Sequence, residues 1–462
     1  MSTLQVLRKL QKQTKAEVFL TGGFVRDFLR RRKNPDLDVV VRRLSYDEII
    51  KFLDSEVPGS CKTVKLNDRF HTKIILFRDK GDVEAQIALP RKGKRNVADK
   101  NGKISQDAAC RDFRINSLYL PINFSSKADV IDVVGGLKDI KNKLISCVDI
   151  NDCLFKSPIR ALRAISLAAV TKYKIEEKLL SEIGGYNNAL KRAPADALRK
   201  EFNKIILSNK PSTYIKLMAK VGILGAVSPE LEACIGVYQD RRYHKYDVFR
   251  HCVYTCDNTE PDLVLRLAGL FHDVGKPGTK KADGPAVTFH KHEMLGVKLA
   301  RKFLNRLRYD NKTKSSVLNL IRLHMYHYTR EYSDEAVRRF IKKLEITDDS
   351  QLEQLPLFKL RIADRLGNGR KTQPVTKRQL DFEERIREVL KGGASLSMND
   401  LEIDGKIIMT TFDLEAGKLV GEIKRYLLDR VQADKTLNNR YSLIELALKF
   451  LKSKERYNNL KN

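Results

Sequence analysis

The chain has 462 residues, and its 88 Lys and Arg against 58 Asp and Glu give a formal net charge of +30. That length has room for two or more domains with ample core, and the cation excess favours a polyanionic partner, most simply nucleic acid. No apolar run approaches the ~18 residues of a membrane span and no signal-peptide core opens the chain, which excludes an integral membrane protein and predicts a soluble, cytoplasmic one.

The first 15 residues read as a short amphipathic helix through Leu4, Val6, Leu7 and Leu10. The stretch Ala16–Arg42, AEVFLTGGFVRDFLRRRKNPDLDVVVR, then reads as strand, glycine turn, helix, turn, strand. Its first apolar run ends in Thr21-Gly22-Gly23. Phe24, Val25, Phe28 and Leu29 share a helical face, with Arg26 and Asp27 off it. After Asn34-Pro35, Asp36 and Asp38 flank Leu37 and project from one side of the second strand. Two carboxylates held together repel, and a divalent metal relieves the repulsion; Mg²⁺ typically shares its oxygen ligands between carboxylates and substrate phosphates. Gly22 and Gly23 let backbone approach a phosphate, the start of the helix favours an anion, and Arg26 is placed to reach it. Asp-x-Asp alone is more often a solvated strand edge; the ordered set Gly-Gly, Arg-Asp, Asp-x-Asp favours a metal–nucleotide site.

Further strands are predicted at Thr63–Leu66, Thr72–Phe77 and Val83–Leu89, where Glu84 is a candidate third carboxylate. The basic, Gly-containing run 91–103 reads as a mobile loop that closes over a substrate. Arg111 is a candidate phosphate or ribose ligand, because a guanidinium binds oxygens in pairs. From about residue 151 the pattern is helical to the end. Ser157-Pro158 opens a helix on which Arg160 and Arg163 share a face.

Seven of the eight histidines fall between 244 and 327. His251, His272-Asp273, His292, His324 and Asp364 lie on helical stretches, and such a set suits a first-row divalent metal. Two metals about 3.5–4 Å apart activate water on a phosphate ester. His244, His290 and His327 stay unassigned. The seven cysteines, Cys61, Cys110, Cys147, Cys153, Cys234, Cys252 and Cys256, form no Cys-x-x-Cys pair and predict reduced thiols. Cys252 and Cys256, one helical turn apart, read as packing residues.

Gly22-Gly23-Phe24-Val25-Arg26-Asp27 with Asp36-Leu37-Asp38 resembles the head signature of the class II nucleotidyltransferases, which include tRNA CCA-adding, CC-adding and A-adding enzymes and bacterial poly(A) polymerases. Cys110–Leu118 resembles that family's R-R-D-F-T-I-N-A-L segment, with Arg111, Asp112, Phe113, Ile115 and Asn116 matching and Cys110 replacing the first Arg. Asp132–Leu137 resembles the turn that closes the head. Asp196–Leu207, with Arg199, Glu201, Lys204 and Leu207 matching, resembles a neck helix read as packing. At the family's base-reading Glu-Asp-x-x-Arg this chain has Lys156, Ser157 and Arg160. A lost charge-assisted bond there costs about 1.5–3 kcal/mol of discrimination, unless Ser157 only caps the helix and Asp152 reads the base. The histidine set resembles the HD phosphohydrolases, with His292 and His324 at the extra ligand positions of two-metal members. The tail resembles that of long bacterial CCA-adding enzymes, and Arg69-Phe70 resembles a poly(A) polymerase element.

The resemblance implies an α+β fold: a nucleotidyltransferase head with a mixed sheet and helices (1–150), then an all-α neck (151–236), an HD body (237–395) and a basic tail (396–462). It implies Mg²⁺ on Asp36 and Asp38, and nucleotide binding by Gly22, Gly23, Arg26, Asp27, Arg111, Asp112, Asn116, Ser157, Arg160 and Arg163. It implies a transition metal such as Ni²⁺, Mn²⁺ or Fe²⁺ on His251, His272, Asp273 and Asp364, with His292 and His324. The expected partners are a tRNA or other RNA 3′ end with ATP and CTP, in a monomer or a dimer. Two other readings stand beside it: an RNA-end phosphatase or cyclic phosphodiesterase with a degenerate head, and a basic RNA-binding protein without activity.

Overall fold

The N-terminal amphipathic segment forms α1 (Thr3–Gln13), which buries Val6, Leu7 and Leu10 in the core of the head. The structure, a computed structural model, describes residues 2–34, 36–59, 61–67, 72–79, 82–93, 96–240, 242, 244–283, 286–326, 332–391, 398 and 400–459. Arg69-Phe70, His71, His327, Ser397 and Asn399 lie outside the described residues, as does the side chain of Glu84. The chain divides into two units, Met1–Tyr326 with Pro356–Pro374, and His327–Leu355 with Val375–Asn462.

In the first unit β1 (Glu17–Thr21) leads into α2 (Gly22–Leu29), and β2 (Leu37–Arg42) into α3 (Tyr46–Glu56). Ser45 and Glu48 cap α3 reciprocally, the Glu48 N–H donating to Ser45 Oγ at 3.3 Å and the Ser45 N–H to Glu48 Oε2 at 2.7 Å. β3 (Cys61–Asn67), β4 (Thr72–Asp79) and β5 (Asp82–Ala88) follow, then a small hairpin of β6 (Arg91–Lys92) and β7 (Val97–Ala98). The head closes with α4 (Ile104–Cys110), β8 (Leu118–Pro121), β9 (Ile131–Asp132) and α5 (Gly136–Asn142). Seven strands make one sheet in the order β3-β4-β5-β2-β1-β8-β9. Among the described residues of this sheet β2 and β5 pair in parallel and the other pairs are antiparallel, so the sheet is mixed, as expected. Central β2 buries Val39, Val40 and Val41, and a strand covered on both faces reads as an unbroken apolar run.

β10 (Leu144–Ile145) leads to the helices: α6 (Ile150–Lys156), α7 (Ile159–Thr171), α8 (Glu177–Glu182), α9 (Asn187–Leu190), α10 (Ala195–Ile206) and α11 (Pro211–Lys220). α12 (Leu224–Val227), α13 (Pro229–Glu232), α14 (Val248–Asp257), α15 (Leu263–Phe271), α16 (Lys276–Thr279), α17 (His292–Arg306) and α18 (Asn311–Leu323) follow. α7 is buried nearly all round, and its alanines let neighbouring helices approach closely. α19 (Asp334–Lys343) belongs to the second unit, and α20 (Pro356–Gly367) returns to the first. The second unit continues with α21 (Lys377–Lys391), α22 (Gly405–Phe412), α23 (Lys418–Ala433) and α24 (Arg440–Asn459).

The all-α expectation after residue 151 needs two corrections. β11 (Lys174–Ile175) pairs in parallel with β10, and β12 (Lys281–Asp283) forms a hairpin with β13 (Ala286–Thr288). Run 91–103 is also no plain loop: β6 and β7 pair, and Lys92 Nζ meets Asp99 Oδ2 at 2.7 Å.

Candidate functional site

The chain passes from strand to helix at Thr21-Gly22 without a connecting loop. Gly22 has φ +67°, and a Cβ added there would overlap Asp38 Oδ2 and stand 3.0 Å from its Cγ. Only glycine fits between the turn and that carboxylate. Asp38 is paired with Thr21 of β1 and with Gln86 of β5. Asp36, just before β2, is exposed and donates its N–H to Asn34 Oδ1 at 3.0 Å. Both carboxylates line one cleft of about 550 Å³, together with Gly22, Gly23 and Arg26. Burial raises the Asp38 carboxyl above its ordinary value, and the Arg111 charge offsets this only in part. A penalised carboxylate with a second one lining the same cleft is a donor set that fits Mg²⁺.

A lattice of ion pairs holds the cations of the cleft. Arg26 donates from Nε and Nη2 to Asp27 at 3.0 and 2.6 Å, and from Nη1 to Asn116 Oδ1 at 2.8 Å. Asp112 accepts from the Phe113 N–H at 2.7 Å, from Asn116 Nδ2 at 3.2 Å and from Arg163 Nη1 at 3.0 Å. Arg163 Nε donates to Glu201 Oε1 at 3.1 Å, so one guanidinium joins the head to α10. Burial pushes Asp112 and Glu201 up, but their cationic neighbours win and hold both below the ordinary carboxylate range. Arg160 is buried and donates to the Cys110 and Cys153 carbonyls at 3.0 and 3.2 Å.

Two expected nucleotide ligands do not line the cleft. Asp27 is buried and accepts from Arg30 and Asn34 as well as from Arg26. Ser157 ends α6, and its carbonyl accepts the Arg160 N–H at 2.9 Å. Its proposed substitute, Asp152, is also off the cleft, paired with Lys156 at 2.5 Å. Gln86, Lys200, Glu201 and Lys204 line the cleft, although the neck helix read mainly as packing. The charged triplet Lys200, Glu201, Lys204 on one side of α10 was the available signal.

A second constellation lies among the helices. His251 comes from α14, His272 and Asp273 follow α15, His292 opens α17, His324 follows α18, and Asp364 lies on α20. Nδ1 of His272, His292 and His324 stands 2.9, 2.8 and 2.6 Å from the carbonyl oxygens of Gly269, Phe289 and Ile321. Those bonds make Nδ1 the donor and turn each Nε2 inward. The Nε2 atoms of His251 and His272 are 3.1 Å apart, and those of His292 and His324 3.3 Å. Asp273 Oδ2 faces the first pair at 3.3 and 3.2 Å, and Oδ1 the second at 3.2 and 3.7 Å. Asp364 Oδ1 is 3.0 Å from His251. Two donor groups sharing Asp273 fit a pair of divalent ions. Despite burial, the Asp273 and Asp364 carboxylates raise His272 to about 10. His244 packs against His251 with ring centres 5.6 Å apart and meets Asn368, outside the donor groups; His290 is exposed.

A mixed-sheet head with a glycine turn against an Asp-x-Asp strand, followed by a helical part carrying a His/Asp cluster able to hold metal, defines a nucleotidyltransferase with an HD domain. Residues 18–146 match the poly(A) polymerase head domain, 172–235 the probable RNA and SrmB-binding site of polymerase A, and 241–369 the HD domain. The chain is 26% identical over 431 residues to a CC-adding tRNA nucleotidyltransferase of Thermus thermophilus, covering 90% of each. It is 28% identical over 341 residues to an A-adding tRNA nucleotidyltransferase of Deinococcus radiodurans, covering 71% of this chain and 75% of that one. Similarity in fold extends to the Bacillus stearothermophilus CCA-adding enzyme in complex with CTP, with a TM-score of 0.61 at 14% identity over 99% of this chain and 100% of that one. The chain carries a poly(A) polymerase head domain and an HD domain, and it is a nucleotidyltransferase similar to the CC-adding and A-adding tRNA enzymes. Among the described residues no helix is long and apolar enough to cross a membrane.

Proposed function

We propose that the head adds nucleotides from CTP and ATP to the 3′ end of tRNA, building all or part of a CCA end in the cytoplasm. The observation that carries this is the contact of Asp38 with the glycine turn, in one cleft with Asp36, Arg26, Arg111 and Arg163. The Gly22-Gly23 backbone and the start of α2 cradle the triphosphate. Arg26 and Arg111 face its oxygens, while Arg163 and Lys200 extend the basic wall toward the neck. Mg²⁺ bound by Asp36 and Asp38 would supply charge neutralisation at the phosphates. Positioning then delivers the RNA 3′-oxygen in line to the α-phosphorus: the new P–O bond forms as the bond to the β-phosphate oxygen breaks, and pyrophosphate leaves.

The similar proteins include a CC-adding and an A-adding enzyme, so the extent of addition is what has to be measured. Purified protein is incubated with tRNAs ending at successive 3′ positions and each NTP singly, and the products are sized. Addition of C, of A or of both in order identifies the activity; long A tracts identify a poly(A) polymerase, and no addition rejects the proposal. The His/Asp centre supports a second activity in the same chain, hydrolysis of phosphate esters at RNA ends. Its imidazole-rich donors suit Ni²⁺, Mn²⁺ or Fe²⁺.

A further inference from the structure

We infer that Asp107, which does not itself line the cleft, is the positioning residue for two cleft-lining arginines, Arg91 and Arg111, and that Arg91 joins Arg111 at the triphosphate. The inference rests on the nucleotide-binding reading of the head. Asp107 lies on α4 and is fully buried. Its Oδ1 accepts both the backbone N–H and Nε of Arg91, each at 3.0 Å. Its Oδ2 accepts Arg111 Nε at 2.8 Å and the Tyr119 hydroxyl at 2.6 Å. The Tyr119 oxygen also accepts Arg111 Nε at 2.9 Å, and the Arg111 guanidinium lies 5.2 Å above the Tyr119 ring. One carboxylate therefore ties the base of the β6–β7 hairpin to the chain just after α4. Both arginines line the cleft; Asp107 and Tyr119 do not.

The charge arrangement explains why an acid belongs there. Two guanidinium groups side by side repel, and each would turn toward solvent. A single buried carboxylate between them cancels that repulsion and leaves one net positive charge facing the cleft. It engages each guanidinium through Nε, so the outer Nη donors remain for a second oxyanion. Arg111 is also the main opposing charge on Asp38, so its placement sets the field at the Asp-x-Asp strand.

The test uses the full chain and begins with wild-type incorporation, whose absence rejects the nucleotidyltransfer reading itself. Asp107→Asn keeps the shape and removes the charge. Its nucleotide KM should rise about tenfold, the worth of one charge-assisted hydrogen bond, with kcat and the RNA KM changed far less. Calorimetric titration with inorganic pyrophosphate should show the same loss of affinity, and Asp107→Glu should restore part of both. Tyr119→Phe, which removes one hydroxyl from the cluster, should shift KM and pyrophosphate affinity in the same direction even if Asp107→Asn does not fold. Two results overturn the inference while wild type stays active: variants that match wild type in nucleotide KM and pyrophosphate binding, or variants that lose only active fraction and kcat.

Discussion

Replacing Gly22 by Ala tests the geometry on which the head depends. The substitution acts twice. A left-handed φ of +67° costs an L residue about 1–2 kcal/mol. The new methyl group also overlaps Asp38 Oδ2 and comes within 3.0 Å of its Cγ and 3.1 Å of its Cβ, and relieving such overpacking costs about 1–3 kcal/mol. The sum, about 2–5 kcal/mol, is a large part of a typical domain's stability. Protein that still folds must displace the Asp38 carboxylate by about 1 Å, and a misplacement of that size costs about 10²-fold in rate. Gly23→Ala is the milder comparison, because its Cβ would meet side-chain ends, Asn34 Nδ2 at 3.2 Å and the Arg26 guanidinium at 3.6 and 3.9 Å, and not the carboxylate. Urea unfolding and incorporation of labelled CTP and ATP into tRNA read both effects. Gly22→Ala with wild-type stability and activity would refute the reasoning, because the carboxylate would then not need the place it occupies.

Arg163→Ala removes the cation shared by two largely buried carboxylates, Asp112 and Glu201, of which Glu201 keeps Lys204, and should cost roughly 2–4 kcal/mol at pH 7. Both acids have folded-state pKa values below their unfolded ones, so the stability they confer is present above about pH 4–5 and lost as pH falls through the folded values. The gap between wild type and variant should therefore be widest at neutral pH and close in acid; a gap independent of pH contradicts this. His272→Ala and Asp273→Ala should lose bound transition metal, measured by elemental analysis, and hydrolysis of p-nitrophenyl phosphate esters, with nucleotide incorporation retained. Loss of incorporation in folded variants would show that the two sites are not independent. Ser157→Asp should leave the ratio of C to A incorporation within about twofold, since Ser157 is off the cleft lining; a strongly sharpened preference would return base reading to that position.

Much of the head was legible because its signals are local. The Val39–Val41 run, the Gly-Gly turn and the two-residue spacing of Asp36 and Asp38 depend on neighbours in sequence, and the strand and helix periods convert them directly into geometry. The adjacent pair His272-Asp273 was legible for the same reason. Asp107 was not: in Ile104–Cys110 it resembles a solvated helix acid, and only the fold brings Arg91 and Tyr119 to it. Run 91–103 looked mobile because Lys, Arg and Gly dominate it, whereas its ends are pinned by Asp107 and by the Lys92–Asp99 pair. That Asp27 and Ser157 stand off the cleft lining was not legible, because a motif names residues without saying which way they face. The division of the body was likewise hidden, since α20 packs with α14 and α15 while the segments on either side of it pack with the C-terminal helices.

The most direct measurement is nucleotide incorporation by Asp36→Ala and Asp38→Ala, run beside a tRNA-binding titration of the same preparations. The account predicts that each variant binds tRNA like wild type and adds no nucleotide in the presence of Mg²⁺. Extension of the tRNA by both variants would contradict it.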